Sequence, residues 1–130
     1  MTKTKTSIQP WLTVQNSTKA GIFYKAAFNA TEAYRMETPD GGLVLKLAVD
    51  EAEFWVSGQI DDSGEPLSEN LGGDTLKMVL IVDDPDTFFS HALKHGATEI
   101  FPVGEEHGWR LGRLVDPFGL HWEIGKQLAE

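Results

Sequence analysis

The sequence predicts an α+β fold made of two tandem βαβββ modules with mixed sheets. The first observation is an internal repeat: the pattern of residues 11–16 returns at 79–84, that of 29–32 returns at 96–99, and Trp55 returns as Trp122, at spacings of 67 or 68 residues. Two copies of such a period do not make a solenoid, which needs about three or more repeats. We therefore expect the two halves to share one core.

The second observation is the order of periodicities in the first half. Residues 8–14 read as a strand, and Asn16 then offers an N-cap side chain to a helix. The helix is indicated by apolar residues at helical spacing, namely Ala20, Phe23, Tyr24 and Ala27. After it the period drops to two, which predicts hairpin-linked strands at 33–38, 43–49 and 53–57.

The second half repeats this order. Residues 76–82 read as a strand, Asp84 as the next N-cap, and Pro85 as the first helical residue, where its missing N–H is not needed. The buried stripe of this helix is Phe89, Ala92 and Leu93. Strands are predicted at 99–103, 109–115 and 120–124, with the last tight turn at 116–119.

The size of the chain favours a single domain. Its 130 residues, 41% of them hydrophobic, suffice for one ordinary core. We predict one domain, 1–130, with modules at about 8–58 and 75–125. The acidic, glycine-containing segment 59–74 shows no periodicity and is interpreted as a connection or a cavity lid.

Composition excludes several classes of partner and chemistry. The net charge of −9 disfavours nucleic acid and anionic membranes as partners. Cysteine is absent, which excludes disulfides and thiolate chemistry. The first residues lack the apolar stretch of a signal peptide, so we expect a cytoplasmic protein.

Two βαβββ modules, the pair Phe23-Tyr24 in the first helix and the closing segment 116–123 (DPFGLHWE) together resemble the vicinal oxygen chelate superfamily. This group includes glyoxalases, bleomycin-resistance proteins and extradiol dioxygenases. The resemblance covers about residues 8–125. It implies a cavity enclosed by the modules, usually inside a homodimer, and in the enzymes a divalent metal at the cavity floor.

The metal that the resemblance implies is disfavoured by the residues themselves. The ligand positions of the metal-using members, on the first and last strands of each module, fall on Gln9, Val56, Lys77 and Glu123. An aliphatic side chain offers no donor, and a protonated lysine repels a cation. We therefore predict no metal and no other cofactor.

Strand alternation predicts which side chains line the cavity with Glu123. The predicted ligand-binding residues are Gln9, Trp11, Thr13, Phe54, Val56, Lys77, Val79 and Ile81, with Trp109 near the rim. His121 lies on the same predicted face. Trp55 and Trp122 lie on the opposite face, which we expect to be core under the helices.

Two interpretations of Lys77 and Glu123 stay open. In the functional interpretation, the pair binds a polar group of a ligand or Glu123 acts as a general base. In the other, the pair is a structural ion pair at the centre of the cavity. His121 is either a proton-transfer residue or a side chain packed there for its shape. Glu123 and His121 are therefore the candidate catalytic residues.

The favoured function is a metal-independent, dimeric small-molecule-binding protein that sequesters an antibiotic or another amphipathic metabolite. The alternative is a lyase, isomerase or dioxygenase acting on a small carbonyl compound, with or without a divalent metal. Sequence does not separate the two, because both need an apolar box with a few polar groups.

Overall fold

A computed structural model describes residues 7–39, 42–59 and 76–128, so most of the predicted connection lies outside the described residues. The elements of the first module are β1 (Trp11–Thr13), α1 (Ser17–Phe28), β2 (Thr31–Glu37), β3 (Gly42–Val49) and β4 (Ala52–Gln59). Those of the second module are β5 (Met78–Ile81), α2 (Pro85–Lys94), β6 (Thr98–Glu106), β7 (Trp109–Val115) and β8 (His121–Gln127). The predicted order of elements is confirmed, although β1 is shorter and β6 longer than expected.

Each module forms a four-stranded mixed sheet. The orders are β1-β4-β3-β2 and β5-β8-β7-β6, in which the first strand of each module pairs in parallel with the last and the other pairs are antiparallel. Helix α1 packs on β3 and β4, and α2 packs on β6, β7 and β8. The fold prediction is confirmed. The sheets do not close, however, and each keeps a face turned away from its helix, which we call the open face.

The predicted caps define the starts of both helices. The Asn16 side chain accepts a hydrogen bond from the Lys19 N–H at 3.0 Å, and Asp84 accepts one from the Thr87 N–H at 3.2 Å. Helix α1 ends at Asn29, whose φ of 58° is the left-handed conformation of a helix C-terminus. Short, capped helices of this kind are held mainly by the face that they bury.

The core lies between the helices and the covered faces of the sheets. An aromatic cluster joins the two modules there: the rings of Tyr24 and Phe28 on α1 contact Trp122 on β8, with centroids 5.7 and 4.9 Å apart. Phe54 on β4 contacts the same indole at 5.8 Å. The shared core predicted from the repeat is therefore made by aromatic residues of both modules.

A buried carboxylate completes this junction. The Tyr24 hydroxyl donates to Asp116 Oδ2 at 2.5 Å, and the Trp122 indole N–H donates to the same oxygen at 2.9 Å. The other oxygen accepts the backbone N–H groups of Phe118 and Leu120. Burial raises the pKa of Asp116, and these donors oppose that rise. Burial, followed by the neighbouring carboxylate, also raises the pKa of Tyr24 well above its usual value.

The structural register of the two modules differs from the sequence repeat by one residue. Trp11 pairs with Trp55, and Val79, 68 positions after Trp11, pairs with Glu123. Glu123 therefore corresponds to Trp55, and Trp122 corresponds to Phe54. A shift of one residue in a strand moves every side chain to the other face.

This shift corrects three predictions. Phe54 and Val56 lie on the covered face and are 5% and 0% exposed, so they do not share a face with Glu123. Trp55 lies on the open face and is half-buried rather than part of the core. Trp122 is buried as predicted.

Neither helix in the described ranges 7–39, 42–59 and 76–128 is both long and apolar enough to cross a membrane.

Candidate functional site

The open face of the second sheet carries an ion pair. Lys77, just before β5, places its Nζ 2.8 Å from Glu123 Oε2 on β8, and their side chains are 34% and 19% exposed. The prediction that these two groups face each other is confirmed. The pair is partly solvated, and pairs of this kind contribute little to stability, typically about 0–1 kcal/mol.

An apolar hollow lies beside this pair. Its volume is about 280 Å³. Its lining, which we call the Gly125 hollow, consists of Val79, Ile81, Trp109, Leu111, Glu123 and Gly125. Among the described residues of this lining, the carboxylate of Glu123 is the only ionisable group. Apolar walls with few polar groups are typical of sites for organic molecules.

Gly125 in the lining of the hollow marks a close approach of β7 to β8. A Cβ added to Gly125 would lie 2.5 Å from Leu111 Cβ and 2.5 Å from the Arg110 carbonyl oxygen, so the contact between the strands requires a glycine here. Gly125 pairs with Leu111 on one side and with Ile81 on the other. The lining at this point is therefore bare backbone between two aliphatic side chains, with Glu123 two residues away, and we call this part of the hollow the trough.

A second depression continues the Gly125 hollow toward β6. It measures about 400 Å³ and shares Trp109, Leu111 and Glu123 with the first. We call it the outer hollow, and its remaining lining consists of Phe101, Pro102, Gly104, Glu105, Glu106 and His107. Glu105 and Glu106 in this lining are exposed, whereas Glu123 is half-buried.

The open face of the first sheet is filled by aromatic rings instead. Trp11 stacks on Trp55 with centroids 5.4 Å apart and planes inclined by 20°. The Trp11 indole N–H donates to Ser57 Oγ at 2.9 Å, and that of Trp55 donates to Gln9 Oε1 at 2.8 Å. Lys46 Nζ lies 5.4 Å from the Trp55 ring centroid. We call Trp11 and Trp55 the tryptophan stack.

Gln9 is held by its neighbours. Besides accepting from Trp55, its amide Nε2 donates to Glu53 Oε1 at 3.3 Å and to Ser7 Oγ at 3.1 Å. Gln9 also borders a groove of about 350 Å³ between the modules, which Phe54 and Val79 border as well. None of the three hollows is lined by both Gln9 and Glu123.

The structure thus divides the predicted site residues among three places. Lys77, Val79, Ile81, Trp109 and Glu123 gather at the second sheet. Gln9, Trp11 and Thr13 lie at the first sheet, where Thr13 Oγ1 is 3.5 Å from Ser57 Oγ. Val56 belongs to the core, and Phe54 does too except where it meets the groove.

His121 occupies the open face of the second sheet as predicted, at the position of β8 that pairs with Val115. It is half-buried, and its Nδ1 is a buried atom without a hydrogen-bond partner among the described residues. This position beside Glu123 on β8 is the one that both interpretations of His121 require.

Sequence reasoning missed three residues that shape the site: Trp55, Leu111 and Gly125. The prediction used a spacing of 68 residues for the first strands of the modules and 67 for the last. A spacing of 68 for both would have matched Trp55 to Glu123 and placed it on the open face. The trough over Gly125 depends on how closely β7 and β8 approach, which alternation does not express.

The residues present do not fit a divalent metal. In the structural register the four candidate ligand positions are Gln9, Trp55, Lys77 and Glu123, and the one carboxylate among them is engaged by an ammonium group. Within the described part of the chain, no three His, Asp or Glu residues are grouped so that they could hold a metal ion. Carboxylate and imidazole donors in larger number are what such ions require.

Comparisons with known proteins give relatives of undetermined function. No family model matches the chain. Uncharacterised proteins of Mycobacterium bovis and Mycobacterium tuberculosis strain H37Rv are each 32% identical over 129 residues. The match covers 95% of this chain, and 85% and 76% of those proteins, respectively.

Solved structures share the fold at low identity. A glyoxylase/bleomycin resistance protein/dioxygenase domain from Frankia has a TM-score of 0.75 at 15% identity, covering 96% of this chain and 99% of that one. The fosfomycin resistance protein FosX from Listeria monocytogenes has a TM-score of 0.72 at 14% identity, covering 96% and 95%. TioX from Micromonospora has a TM-score of 0.69 at 20% identity, covering 95% and 100%. These likenesses concern the fold alone.

Proposed function

We propose that this chain, which belongs to one family with the mycobacterial proteins and has the fold of the vicinal oxygen chelate superfamily, is a small-molecule-binding protein whose ligand occupies the Gly125 hollow. The observation that carries the proposal is the trough itself, with its aliphatic and aromatic walls and Glu123 at its end. The ligand is an amphipathic organic molecule, since its body meets apolar walls and one end meets a charged pair.

We propose that binding needs no resident metal. The support is the chemistry of the four candidate ligand positions. Trp55 stands at one of them, and Lys77 stands at another and pairs with the carboxylate of Glu123. The Gln9 amide is already engaged by Trp55 and Glu53. Elemental analysis of protein purified without chelator should find metal far below one equivalent. A stoichiometric metal that is lost on Glu123→Gln would contradict this proposal.

We further propose that a second copy of the chain covers the open faces, making a homodimer. Large apolar side chains are exposed there: Trp11 by 54%, Val79 by 57% and Ile81 by 55%. Exposed apolar surface of this kind marks interaction sites. Sedimentation velocity should give a dimer, and a monomer at micromolar concentration would contradict this part.

The alternative function is an enzyme in which Glu123 and His121 transfer protons. One observation favours it, namely that both side chains lie on the same open face next to the hollow. Against a general base stands the ammonium group that already holds the carboxylate. Ligands recovered chemically unchanged after long incubation favour binding, and turnover that is lost on Glu123→Gln favours the enzyme.

The test is a thermal-shift screen of amphipathic molecules against a matched pair of variants. A ligand at about a hundred times its Kd stabilises a protein by about 2.7 kcal/mol, which such a screen detects. Ile81→Trp places a large ring in the mouth of the hollow, whereas Ile22→Trp makes the same change on the exposed side of α1. We expect the first variant to abolish the shift and the second to keep it. Hits that are unaffected by Ile81→Trp would place the ligand elsewhere and overturn the proposal.

A further inference from the structure

We propose that the ligand is an organic cation and that its ammonium group replaces Lys77 as the partner of Glu123. This inference rests on the proposed function and adds the chemical class of the ligand and a role for Lys77. In the free protein Lys77 serves as an internal counter-ion, holding the place that the cation of the ligand takes.

The charges around the two adjoining hollows favour a cation. Among the described residues, the linings of the Gly125 hollow and the outer hollow together contain the carboxylates of Glu105, Glu106 and Glu123 and no lysine or arginine. Part of this charge is compensated by Arg110, which lies outside both linings with its Nη1 3.4 Å from Glu105 Oε2. His107, which belongs to the lining of the outer hollow, has its Nε2 3.3 Å from Glu106 Oε1. The net charge of −9 also attracts cations that come within about a Debye length of the protein surface.

The walls suit the rest of such a molecule. Trp109 belongs to both hollows and offers an indole face, which attracts cations as well as apolar groups. Val79, Ile81 and Leu111 supply aliphatic surface at the trough. A ligand with its ammonium at Glu123 and its body over Gly125 therefore meets matching chemistry at both ends.

Lys77 is placed so that it can leave. It precedes β5, so its backbone is outside the ladder that β5 forms with β8, and its side chain is 34% exposed. A partly solvated ion pair exchanges its partner at low cost because water replaces the lost contact. Glu123 is the more covered partner, with 19% exposed, so its carboxylate stays near the trough when Lys77 departs.

An arginine and a histidine also lie near Glu123 in the second sheet. Arg113 on β7 is the register partner of Glu123 and is level with it, whereas His121 precedes Glu123 by two residues on β8, away from Gly125. Neither residue lines the trough.

The experiment compares three probes of one shape: phenylbutylamine, phenylbutanol and phenylbutyrate. Isothermal titration calorimetry is done on the wild type and on Lys77→Met and Glu123→Gln. We expect the amine to bind wild type about tenfold more tightly than the alcohol, an effect of the size of one charged hydrogen bond. Lys77→Met removes the ammonium group that competes for Glu123. The affinity for the amine should therefore rise about five- to tenfold, while the affinity for the alcohol stays the same.

Glu123→Gln should lower the affinity for the amine to that for the alcohol. A higher salt concentration should lower the affinity for the amine and leave that for the alcohol unchanged. The melting temperatures of both variants report on folding separately, and the alcohol serves as an internal control for an intact trough.

Three results would overturn the inference. The first is that Lys77→Met weakens the affinity for the amine or leaves it unchanged. The second is that phenylbutyrate binds most tightly of the three probes and that Lys77→Met abolishes its binding, which would mean that Lys77 binds an anion. The third is that none of the probes binds. The proposed function has its own test in the screen with Ile81→Trp. If the alcohol binds the wild type and this variant abolishes that binding, the proposed function is supported even when the preference for a cation is not found.

Discussion

The two modules share one architecture and differ on their open faces. On the covered faces the corresponding residues are alike: Phe54 and Trp122 are both buried aromatics, and Val56 and Ile124 are both fully buried aliphatics. On the open faces the correspondence breaks, since Trp55 is matched by Glu123 and Ser57 by Gly125. The covered face is constrained because any change there disturbs a shared core.

The consequence is one filled face and one empty face. In the first module the tryptophan stack occupies the sheet, and its indole N–H groups are already bonded to Ser57 and Gln9. In the second module the glycine leaves a trough next to an ion pair. Under the proposed function, the ligand therefore occupies the second module and the first module provides a supporting surface.

The largest expected effect is a difference between the two tryptophans that the sequence repeat pairs. Trp122→Ala removes a fully packed indole and should lower the free energy of unfolding by about 3–5 kcal/mol. Trp55→Ala removes a half-buried ring and should lower it by less than half as much. Urea denaturation of both variants measures this, and equal losses would contradict the assignment of faces.

The next effect concerns the buried carboxylate at the junction of the modules. Because burial raises the pKa of folded Asp116, the folded state binds its proton more tightly than the unfolded chain, whose Asp titrates near 3.9. Stability from this group is therefore fully present below about pH 4 and declines as the pH rises through the folded pKa. Asp116→Asn abolishes this titration, so the wild type should lose stability relative to the variant as the pH rises above about 4.

Asp116→Ala is the companion variant. It leaves the Tyr24 hydroxyl and the Trp122 N–H without their acceptor and should lower the free energy of unfolding by about 3 kcal/mol near pH 4. This loss should become smaller as the pH rises, because the wild type loses stability from Asp116 while the variant does not titrate there. Denaturation curves at several pH values give both results. A wild type that gains stability relative to Asp116→Asn as the pH rises would show that the four donors outweigh burial.

Filling the trough should have a smaller effect on stability and a clear one on binding. Gly125→Ala brings a methyl group against Leu111 and the Arg110 carbonyl, so we expect a loss of about 1–3 kcal/mol from overpacking. Gly104→Ala is the matched control, because nothing lies within 4 Å of an added Cβ there. It should change stability by less than about 1 kcal/mol. If Gly125→Ala changed neither the free energy of unfolding nor the affinity for the ligand, the trough would not be the binding site.

Periodicity and caps in the sequence were enough to predict the modules and the order of elements. The pairing of Lys77 with Glu123 was implied by the resemblance to the vicinal oxygen chelate superfamily. The faces of β4 were assigned wrongly because Trp55 and Trp122 were aligned by identity, although the strands correspond one residue away. The trough escaped prediction because it arises from a missing side chain at a close strand contact, and strand spacing is set by tertiary packing.

The central claim is that the second sheet, and not the first, binds the ligand. The direct measurement is a two-dimensional amide NMR titration of the protein with phenylbutylamine. We predict shifts that are concentrated on Ile81, Leu111, Glu123 and Gly125, with Trp11, Trp55 and Ser57 unmoved. Shifts centred on the tryptophan stack, with the Gly125 amide unchanged at saturation, would contradict the claim.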